Sequence, residues 1–418
     1  MASPTPTTAV PGRAHITSLM YSLPIRRLKE ILSHVLPGLT LGPVEEVRST
    51  QLPRLYNLTM SDDRRLLLSF APNLTVRLLR REATLIYSEA VLIYFIHGSS
   101  RDLEASGSSV ASKPSSSRSP ELQKLVPILL KHSSNNKEMA YPYSILEPTR
   151  GAPFSTLSIY LSLSERHIID KQVGTMTRRL AELTSPSGTF GPASRVLPDP
   201  FTQRPSQAPV AQGSKTWSEA FALLFEGILR DGEDMNVLLP YDIVRAHFQR
   251  LSWRLDAVTF PRLVMLDSGN ETNVMVERGD AVLASSGSAD TVRLTGLRSW
   301  SQGIFGDPLI SIFFEHPSAG FREGWEDEGE DIIEDLENGP VRLLLYRCYN
   351  AIVGIVTEHY RPQADSSRRE LESRRKLTTV LTELEDIDVA VNNALKRVRS
   401  HSKENEDSKR LKIEKSGV

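Results

Sequence analysis

Apolar residues recur every three or four positions in residues 24–36, the spacing of one buried face of an α-helix. Pro24 suits the first turn of such a helix, because its missing N–H has no partner there to lose. Pro37 and Gly38 follow the periodic residues and predict the end of the helix. The same periodicity predicts a second helix over residues 78–96.

The pattern between these helices changes to short apolar runs. Three runs occupy residues 44–48, 55–60 and 65–70, and turn-forming residues at 61–63 separate the last two. Runs of this length bounded by turn residues are typical of β-strands. The sequence therefore predicts a small antiparallel sheet near its beginning.

Residues 141–146 predict one more strand, and the pattern after it is mainly helical. Ser164 is the predicted N-cap of the first of these helices, and Thr216 or Ser214 caps the second. The predicted helices occupy residues 164–183, 217–230, 241–255, 310–314 and 341–360. Three further strands are predicted around residues 262–266, 274–276 and 292–297.

Two segments lack the apolar content of a packed core. Residues 98–120 are dominated by serine, and residues 400–418 are rich in Lys and Glu, so we predict both to be disordered. Residues 323–337 are strongly acidic, a pattern typical of a solvated face. The predicted organisation is a disordered N-terminus (1–15), a first lobe (16–147) containing the insertion 98–120, a mainly helical second lobe (148–362), and a helical, then disordered, charged tail (363–418).

Composition narrows the class of protein. The 418 residues include 50 Lys and Arg against 51 Asp and Glu, so net charge gives no reason to expect a nucleic acid or membrane partner. The single cysteine, Cys348, excludes an intrachain disulfide, and its apolar neighbours predict a buried thiol. No apolar run is long enough to span a membrane, and residues 1–13 lack the apolar core of a signal peptide. We expect a cytoplasmic protein, with nuclear import through the basic segments 396–399 and 409–412 as an alternative.

The candidate chemistry lies in residues 261–309. An apolar run enters a polar turn that holds Asp267, Asn270 and Asn273, and a second apolar run leaves it. A later strand runs into Trp300 and a Gly-Asp-Pro-Leu turn at 306–309. Kinase-type phosphoryl-transfer enzymes use this order: a loop Asp accepts the substrate hydroxyl proton, and a following Asn and a later Asp hold magnesium.

The layout resembles the aminoglycoside phosphotransferase-like family of kinase-like proteins, in particular its fungal branch. Residues 54–60 and 66–72 resemble strands of the family's small lobe, and 80–90 its first lobe helix. The resemblance implies an α+β, two-lobed protein-kinase-like fold with a small antiparallel-sheet lobe and a larger, mainly helical lobe. It also implies Asp267 as the catalytic residue, Glu89 and Glu147 as nucleotide-binding residues, and Asn273 as a metal ligand.

The sequence departs from the family pattern at two positions that carry charged residues in the family. Ser69 stands in place of the lysine that touches the nucleotide phosphates, and Ser299 in place of the magnesium-binding Asp. A hydroxyl supplies neither the positive charge nor the carboxylate that these contacts need. Candidate substitutes are the cations Arg64, Arg65, Arg80 and Arg298 and the carboxylates Glu271, Asp280 and Asp290.

Three functional hypotheses follow. The first is a catalytically impaired kinase-like protein, a pseudokinase, that binds a small molecule or a protein partner. The second is an active ATP- and Mg²⁺-dependent phosphotransferase with a rearranged site, acting on a hydroxyl group, with fungal secondary metabolism as a candidate setting. The third is an unrelated activity in the same cleft, which no motif supports, since the hydrolase and zinc-protease motifs are absent from the sequence.

Overall fold

The computed structural model describes residues 23–47, 51–105, 120–135, 137–201, 213–279 and 292–387, with only the backbone described for 99–105. The first five strands are Leu41–Val47 (β1), Arg54–Met60 (β2), Arg65–Phe70 (β3), Ile128–Ser133 (β4) and Tyr143–Glu147 (β5). They form one antiparallel sheet in the order β1-β2-β3-β5-β4. The predicted N-terminus (1–15) and the tail beyond 387 lie outside the described residues, as do residues 106–119 of the serine-rich insertion.

Six shorter strands belong to the second lobe. They are Ala152–Pro153 (β6), Gly191–Pro192 (β7), Arg262–Met265 (β8), Val274–Arg278 (β9), Val292–Leu297 (β10) and Gly303–Gly306 (β11). They form two three-stranded sheets, β10-β9-β6 and β7-β11-β8. These two sheets position both ends of the polar turn at 266–273.

The described residues form eleven α-helices, and most of them belong to the second lobe. The α-helices are Ile25–Val35 (α1), Leu85–Ala105 (α2), Pro120–Lys124 (α3), Phe154–Leu157 (α4), Leu163–Glu182 (α5), Ala193–Val196 (α6), Trp217–Asp234 (α7), Tyr241–Leu251 (α8), Ala319–Glu326 (α9), Gly339–Tyr360 (α10) and residues 366–387 (α11). Short 3₁₀ segments occupy Arg80–Glu82, Ser158–Tyr160, Ser252–Ala257, Pro308–Ile310 and Ile312–Phe314. None of the helices in the described part of the chain is long and apolar enough to cross a membrane.

The small lobe forms because its strands alternate between two buried layers. Leu28 and Leu32 of α1 pack with Leu58 and Leu68 of β2 and β3 in one apolar cluster. The opposite layer packs with α2, which contributes Leu92 and other residues to the larger core shared with the second lobe. The α2 helix therefore lies between the sheet and the second lobe, where it can present polar side chains to both.

Gly151 lies where the chain passes from the first lobe to the second. Gly151 follows β5 with φ of +90°, a conformation that side chains with a Cβ rarely adopt. A Cβ at this position would also lie 2.4 Å from the carbonyl oxygen of Val276 in β9. The close approach lets the chain after β5 pair through β6 with β9 and fixes the connection against the sheet that carries the polar turn.

Several predicted boundaries were wrong for identifiable reasons. The N-cap of α5 is Ser162 rather than Ser164: its hydroxyl accepts from the backbone N–H of Glu165, whose carboxylate bonds back to Ser162. The predicted helix over 78–96 begins with a 3₁₀ turn and continues as α2 to Ala105, into the segment predicted to be disordered. Strand β4 was missed, because its burial is irregular around the bulge that follows Leu129.

The acidic stretch 323–337 is more than a solvated face. Glu323 and Asp327 both pair with Lys171 of α5, at 2.6 and 2.8 Å. Arg179 of the same helix pairs with Glu328 at 2.9 Å. The carboxylates thus hold α9 and the chain after it against α5, an arrangement that charge counting along the sequence does not reveal.

Gly227 offers a test of local helix stability. It lies in the middle of α7, and a Cβ built on it would meet nothing within 4 Å. Glycine in a helix interior is less favourable than alanine by roughly 0.5–1 kcal/mol, because the unfolded chain loses more freedom. Gly227→Ala is therefore expected to raise the free energy of unfolding, measured in urea, by about that amount. A decrease would show that the methyl group meets an obstacle there.

Candidate functional site in the inter-lobe cleft

Two side chains of the small lobe, Ser69 and Glu89, lie where the sequence resemblance predicts a charged pair. Ser69 lies near the end of β3, paired in register with Leu55 and Ser144. Glu89 lies one turn into α2, and both residues are buried. Ser69 Oγ has no hydrogen-bond partner among the described residues. The position of the family's lysine is thus filled by an uncharged, enclosed hydroxyl.

Glu89 instead bonds to the second lobe. Its Oε1 accepts from the backbone N–H of Trp300 at 3.0 Å. Burial raises the pKa of Glu89, and the hydrogen bond from Trp300 and the nearby hydroxyls of Ser69 and Ser299 oppose this increase. The described residues supply no cationic partner for Glu89, so the carboxyl joins the two lobes as a hydrogen-bond acceptor.

Asp267 lies at the start of the polar turn, directly after β8. Its Oδ1 is shielded from solvent and has no hydrogen-bond partner in the described part of the structure. Burial raises the pKa of Asp267 to about 7; a hydrogen bond from its own backbone lowers it, the negative charge of Glu89 raises it, and Arg81 lowers it. Asp267 and Glu89 therefore belong to one electrostatic site, with Arg81 as the cation beside it.

Asn273 closes the other end of the turn. Its Oδ1 accepts from the backbone N–H of Ser299 at 2.8 Å, and its Nδ2 donates to the Ser299 carbonyl at 3.2 Å. Gln51, in the connection between β1 and β2, donates from Nε2 to the same Oδ1 at 2.9 Å. The amide oxygen that would face a metal ion is therefore already engaged by two protein donors. Whether Asn273 binds a metal stays a prediction.

Ser299 occupies the position at which the sequence resemblance implies a metal-binding carboxylate. Its hydroxyl bonds to that of Ser301 at 2.9 Å, and both are buried. Glu147 ends β5 at the lobe connection, and its carboxylate is 3.8 Å from Arg64. Neither contact tests the predicted role of Glu147 in nucleotide binding, which rests on the resemblance alone.

Of the four arginines considered as substitutes for the lysine, Arg64, Arg65 and Arg80 are paired or exposed, which leaves Arg298 as the candidate. Arg64 pairs with Asp62 at 2.6 Å, Arg65 is exposed, and Arg80 pairs with Asp231 and Asp234.

Arg298 precedes Ser299 and is half-buried. Burial lowers its pKa, and no charged group among the described residues offsets that effect. A partly desolvated guanidinium without a counter-charge is suited to binding an anion.

The carboxylates considered as substitutes for the metal-binding Asp have less structural support than Arg298. Glu271 lies in the turn but is exposed to solvent. Asp280 and Asp290 lie outside the described residues.

Arg81 and Gln51 are the two site residues that sequence reasoning missed. Arg81 reaches Tyr349 of α10, with 3.1 Å between Nη1 and the hydroxyl oxygen, and its Nε is buried without a hydrogen bond among the described residues. Its neighbours anchor the same turn: Arg80 pairs with Asp231, and Arg361 pairs with Glu82 at 2.7 Å. These pairs hold the start of α2 against the second lobe. The periodicity of the sequence could not distinguish Arg81 from Arg80, the exposed arginine that precedes it.

Among the described residues, the arrangement supplies the carboxyl of Asp267 with Arg81 near it, and position 299 supplies a hydroxyl rather than a carboxylate. It could orient a hydroxyl or bind an anion through Arg81 or Arg298. Neutralising a magnesium triphosphate would need charges at Ser69 and Ser299 that these residues do not carry.

Comparisons with known proteins bear on the fold. No protein-family model matches the sequence, and no curated protein matches it significantly. A structure assigned as an aminoglycoside phosphotransferase from Ralstonia eutropha JMP134 is 10% identical, with a TM-score of 0.52 over 87% of this chain and 99% of that one. A structure assigned as a fructosamine-3-kinase from Thermobifida fusca YX-ER1 is 13% identical, with a TM-score of 0.50 over 84% and 98%. The chain therefore has the α+β, two-lobed fold of kinase-like phosphotransferases, as the sequence resemblance implied.

Proposed function

We propose that this protein is a pseudokinase: a kinase-like body that acts by binding a small molecule or a protein partner rather than by transferring a phosphoryl group. Fold alone does not decide this, because kinase-like folds serve both uses. The proposal rests on the side chains that line the cleft, and in particular on the contact between Gln51 and Asn273.

The Gln51–Asn273 hydrogen bond carries the proposal. In protein kinases a glycine-rich loop covers the nucleotide phosphates, and an asparagine of the catalytic loop holds a metal ion. Here Gln51, in the connection between β1 and β2, touches Asn273 of the polar turn directly at 2.9 Å. The space between them is thus occupied by the protein's own polar side chains.

The charges in the cleft support the same conclusion. Ser69 and Ser299 leave Glu89 without a lysine and the turn without a second carboxylate. Removing a single electrostatic donor from a catalytic site typically costs about 2.7–4 kcal/mol of transition-state stabilisation. Two such losses lower the expected rate by orders of magnitude. The residues present do not fit a magnesium-bound triphosphate.

Thermal unfolding with ATP, with and without Mg²⁺, tests the proposal. We expect ATP to change the melting temperature by no more than about 1 °C and Mg²⁺ to add nothing, because Ser299 supplies no carboxylate to hold the ion. The matched variant Ser69→Lys/Ser299→Asp/Gln51→Ala supplies the missing charges and removes the blocking amide. We expect it to gain a magnesium-dependent shift.

Two results would contradict this proposal. One is a wild-type shift of several degrees that requires Mg²⁺. The other is ATP consumption by the wild type, which would favour the active phosphotransferase. A triple variant that folds but gains no shift would show that these positions do not account for the loss.

The active phosphotransferase remains the second candidate because of Asp267. A carboxyl with a pKa near 7 is suited to accept a proton at neutral pH. Arg81 or Arg298 would then supply the positive charge that Ser69 lacks. This candidate predicts ATP consumption that Asp267→Ala abolishes; unchanged turnover in that variant would remove Asp267 from the reaction.

A further inference from the structure

A cavity of about 630 Å³ lies outside the inter-lobe cleft. It is enclosed by the start of α2, the turn at β7 and α6, and one face of α7. Ser69, Glu89, Asp267 and Asn273 do not line it, whereas Arg81 contributes to both the cavity and the site in the cleft. Its volume falls in the range of about 300–1,000 Å³ that is typical of small-molecule sites.

The cavity has an apolar floor. Tyr87, Phe190, Leu223, Leu224 and Ile228 contribute to its lining. Leu223 is 58% exposed, which is unusual for a leucine on a helix with a well-packed opposite face. An apolar ligand body would cover this surface and gain the free energy of its removal from water.

The polar part of the lining is cationic. Four arginines line the cavity, at positions 80, 81, 195 and 230, against the two carboxylates of Glu226 and Asp231. Those carboxylates already pair with Arg230 and Arg80 respectively. Arg195 is exposed, and its guanidinium forms no ion pair or hydrogen bond with the described residues. Arg81 is directed to the hydroxyl of Tyr349, so Arg195 is the guanidinium at the rim that remains available to an anion.

Gly227 keeps the cavity open. It lines the cavity from the middle of α7, and a Cβ at this position would point into space free of other atoms for 4 Å. Neither helix propensity nor close packing calls for glycine here, since alanine would fit and favour the helix. The absence of a side chain preserves volume on the ligand-facing side of α7.

We propose that this cavity binds an amphipathic carboxylate: a small molecule whose apolar body covers the α7 face and whose carboxylate pairs with Arg195. The apolar floor, the available guanidinium and the volume together favour this class over a cationic or purely polar ligand. Arginine suits a carboxylate because its planar fork can donate two parallel hydrogen bonds. The proposal does not depend on nucleotide binding or on phosphoryl transfer.

Calorimetric titration of the full chain, without nucleotide, tests the site. The probes are decanoate, decanol and decylamine, which share an apolar body and differ in the charge of the head group. We expect decanoate to bind at one site, at least tenfold more tightly than decylamine, with decanol between them. Arg195→Glu should weaken decanoate binding about tenfold, while Arg195→Lys should retain most of it.

Gly227 supplies a matched pair of variants that locates the binding. Gly227→Phe should fill the cavity and abolish decanoate binding, and Gly227→Ala should leave the affinity within about twofold. Both should keep the melting temperature of the wild type or exceed it, because either residue favours the helix more than glycine does. A folded Gly227→Phe protein that still binds decanoate would overturn the assignment.

Two further outcomes would also overturn the proposal. Equal affinity for the three probes would indicate apolar adsorption without recognition of the carboxylate. Failure of decanoate to bind the full chain would mean that the cavity does not accept this class of ligand, whether or not another part of the chain covers it. Nucleotide binding, measured separately, can succeed or fail in either case.

Discussion

Asp307→Asn is expected to lower the free energy of unfolding by about 3–5 kcal/mol, the usual cost of leaving one charge of a buried pair without its partner. Asp307 and Arg342 are 1% and 0% exposed, with 3.3 Å between Oδ2 and Nη1. Leu309 N–H donates to Oδ1 of Asp307 at 3.1 Å, and the Tyr346 hydroxyl donates to Oδ2 at 2.7 Å. Asn keeps one acceptor oxygen, so the substitution removes the charge and one of these two hydrogen bonds.

The two halves of this pair should not be equivalent. A guanidinium cannot lose its proton in a folded protein, so Asp307→Asn strands a buried positive charge. Arg342→Met leaves a carboxyl that can become neutral by binding a proton, and burial already raises the pKa of Asp307. We expect Arg342→Met to cost less, and to cost less still at lower pH.

Urea unfolding of both variants and of the double variant measures these differences. We expect the double variant Asp307→Asn/Arg342→Met to be more stable than Asp307→Asn alone, since it no longer buries a lone charge. Additive losses in the double variant would show that the two side chains do not interact. Asp307 lies in the turn predicted at 306–309, and its carboxylate caps the 3₁₀ segment by accepting a hydrogen bond from the Leu309 N–H.

Asp267→Asn is expected to stabilise the protein at pH 8 by about 2 kcal/mol. The pKa of Asp267 in the folded state, about 7, lies above the ordinary value of 3.8. Between these values the folded state holds more protons than the unfolded state, so stability falls as pH rises from about 4 to about 7 and levels off above. The full shift corresponds to roughly 4 kcal/mol. We expect about half of it, because partial exposure of the residue to solvent screens the charge.

The pH dependence distinguishes this effect from a simple packing change. The advantage of Asp267→Asn over the wild type should shrink as pH falls below 7 and disappear near pH 4, where both proteins carry a neutral side chain in the folded state. Unfolding in urea at pH 8, 6 and 4.5 measures it. Asp256→Asn, at an exposed carboxyl, is the control and should show no comparable trend. A constant advantage at every pH would contradict the electrostatic origin.

Such a result would also bear on function. A residue that destabilises the folded state when ionised is typical of a functional site rather than a structural one. Asp267 would then be retained for binding or for chemistry, even though Ser69 and Ser299 lack the charges that phosphoryl transfer requires. A binding role in a pseudokinase needs only the carboxyl, its neighbour Arg81 and access to the cleft.

Much of the fold could be predicted from the pattern of the sequence. The helix predicted over 24–36 is Ile25–Val35, and the strands predicted over 55–60 and 65–70 are Arg54–Met60 and Arg65–Phe70. Burial of Cys348 is likewise confirmed, and it raises the pKa of the thiol to about 12. These features are local, because periodicity reports which face of one element is apolar.

The sequence was least informative where the outcome depends on residues outside the local segment. Both Ser162 and Ser164 can cap a helix, and only the geometry of the chain before α5 selects Ser162. Most carboxylates of the 323–337 stretch are exposed, as predicted, but their ion pairs could not be predicted because Lys171 and Arg179 lie about 150 residues earlier in the sequence. Charge patterning along one segment carries no information about a partner at that separation.

The sequence by itself determined the main helices and the strands β2 and β3, and its resemblance to a kinase-like family drew attention to the serines at positions 69 and 299. Only the tertiary structure decided that Gln51 bonds to Asn273 across 222 residues, that Arg81 lies near Asp267, and that the cavity along α7 presents Arg195 without an ion pair among the described residues. The physical reason is that side-chain identity and periodicity act within a few residues along the chain. The partner of each buried polar group is selected by how distant elements pack.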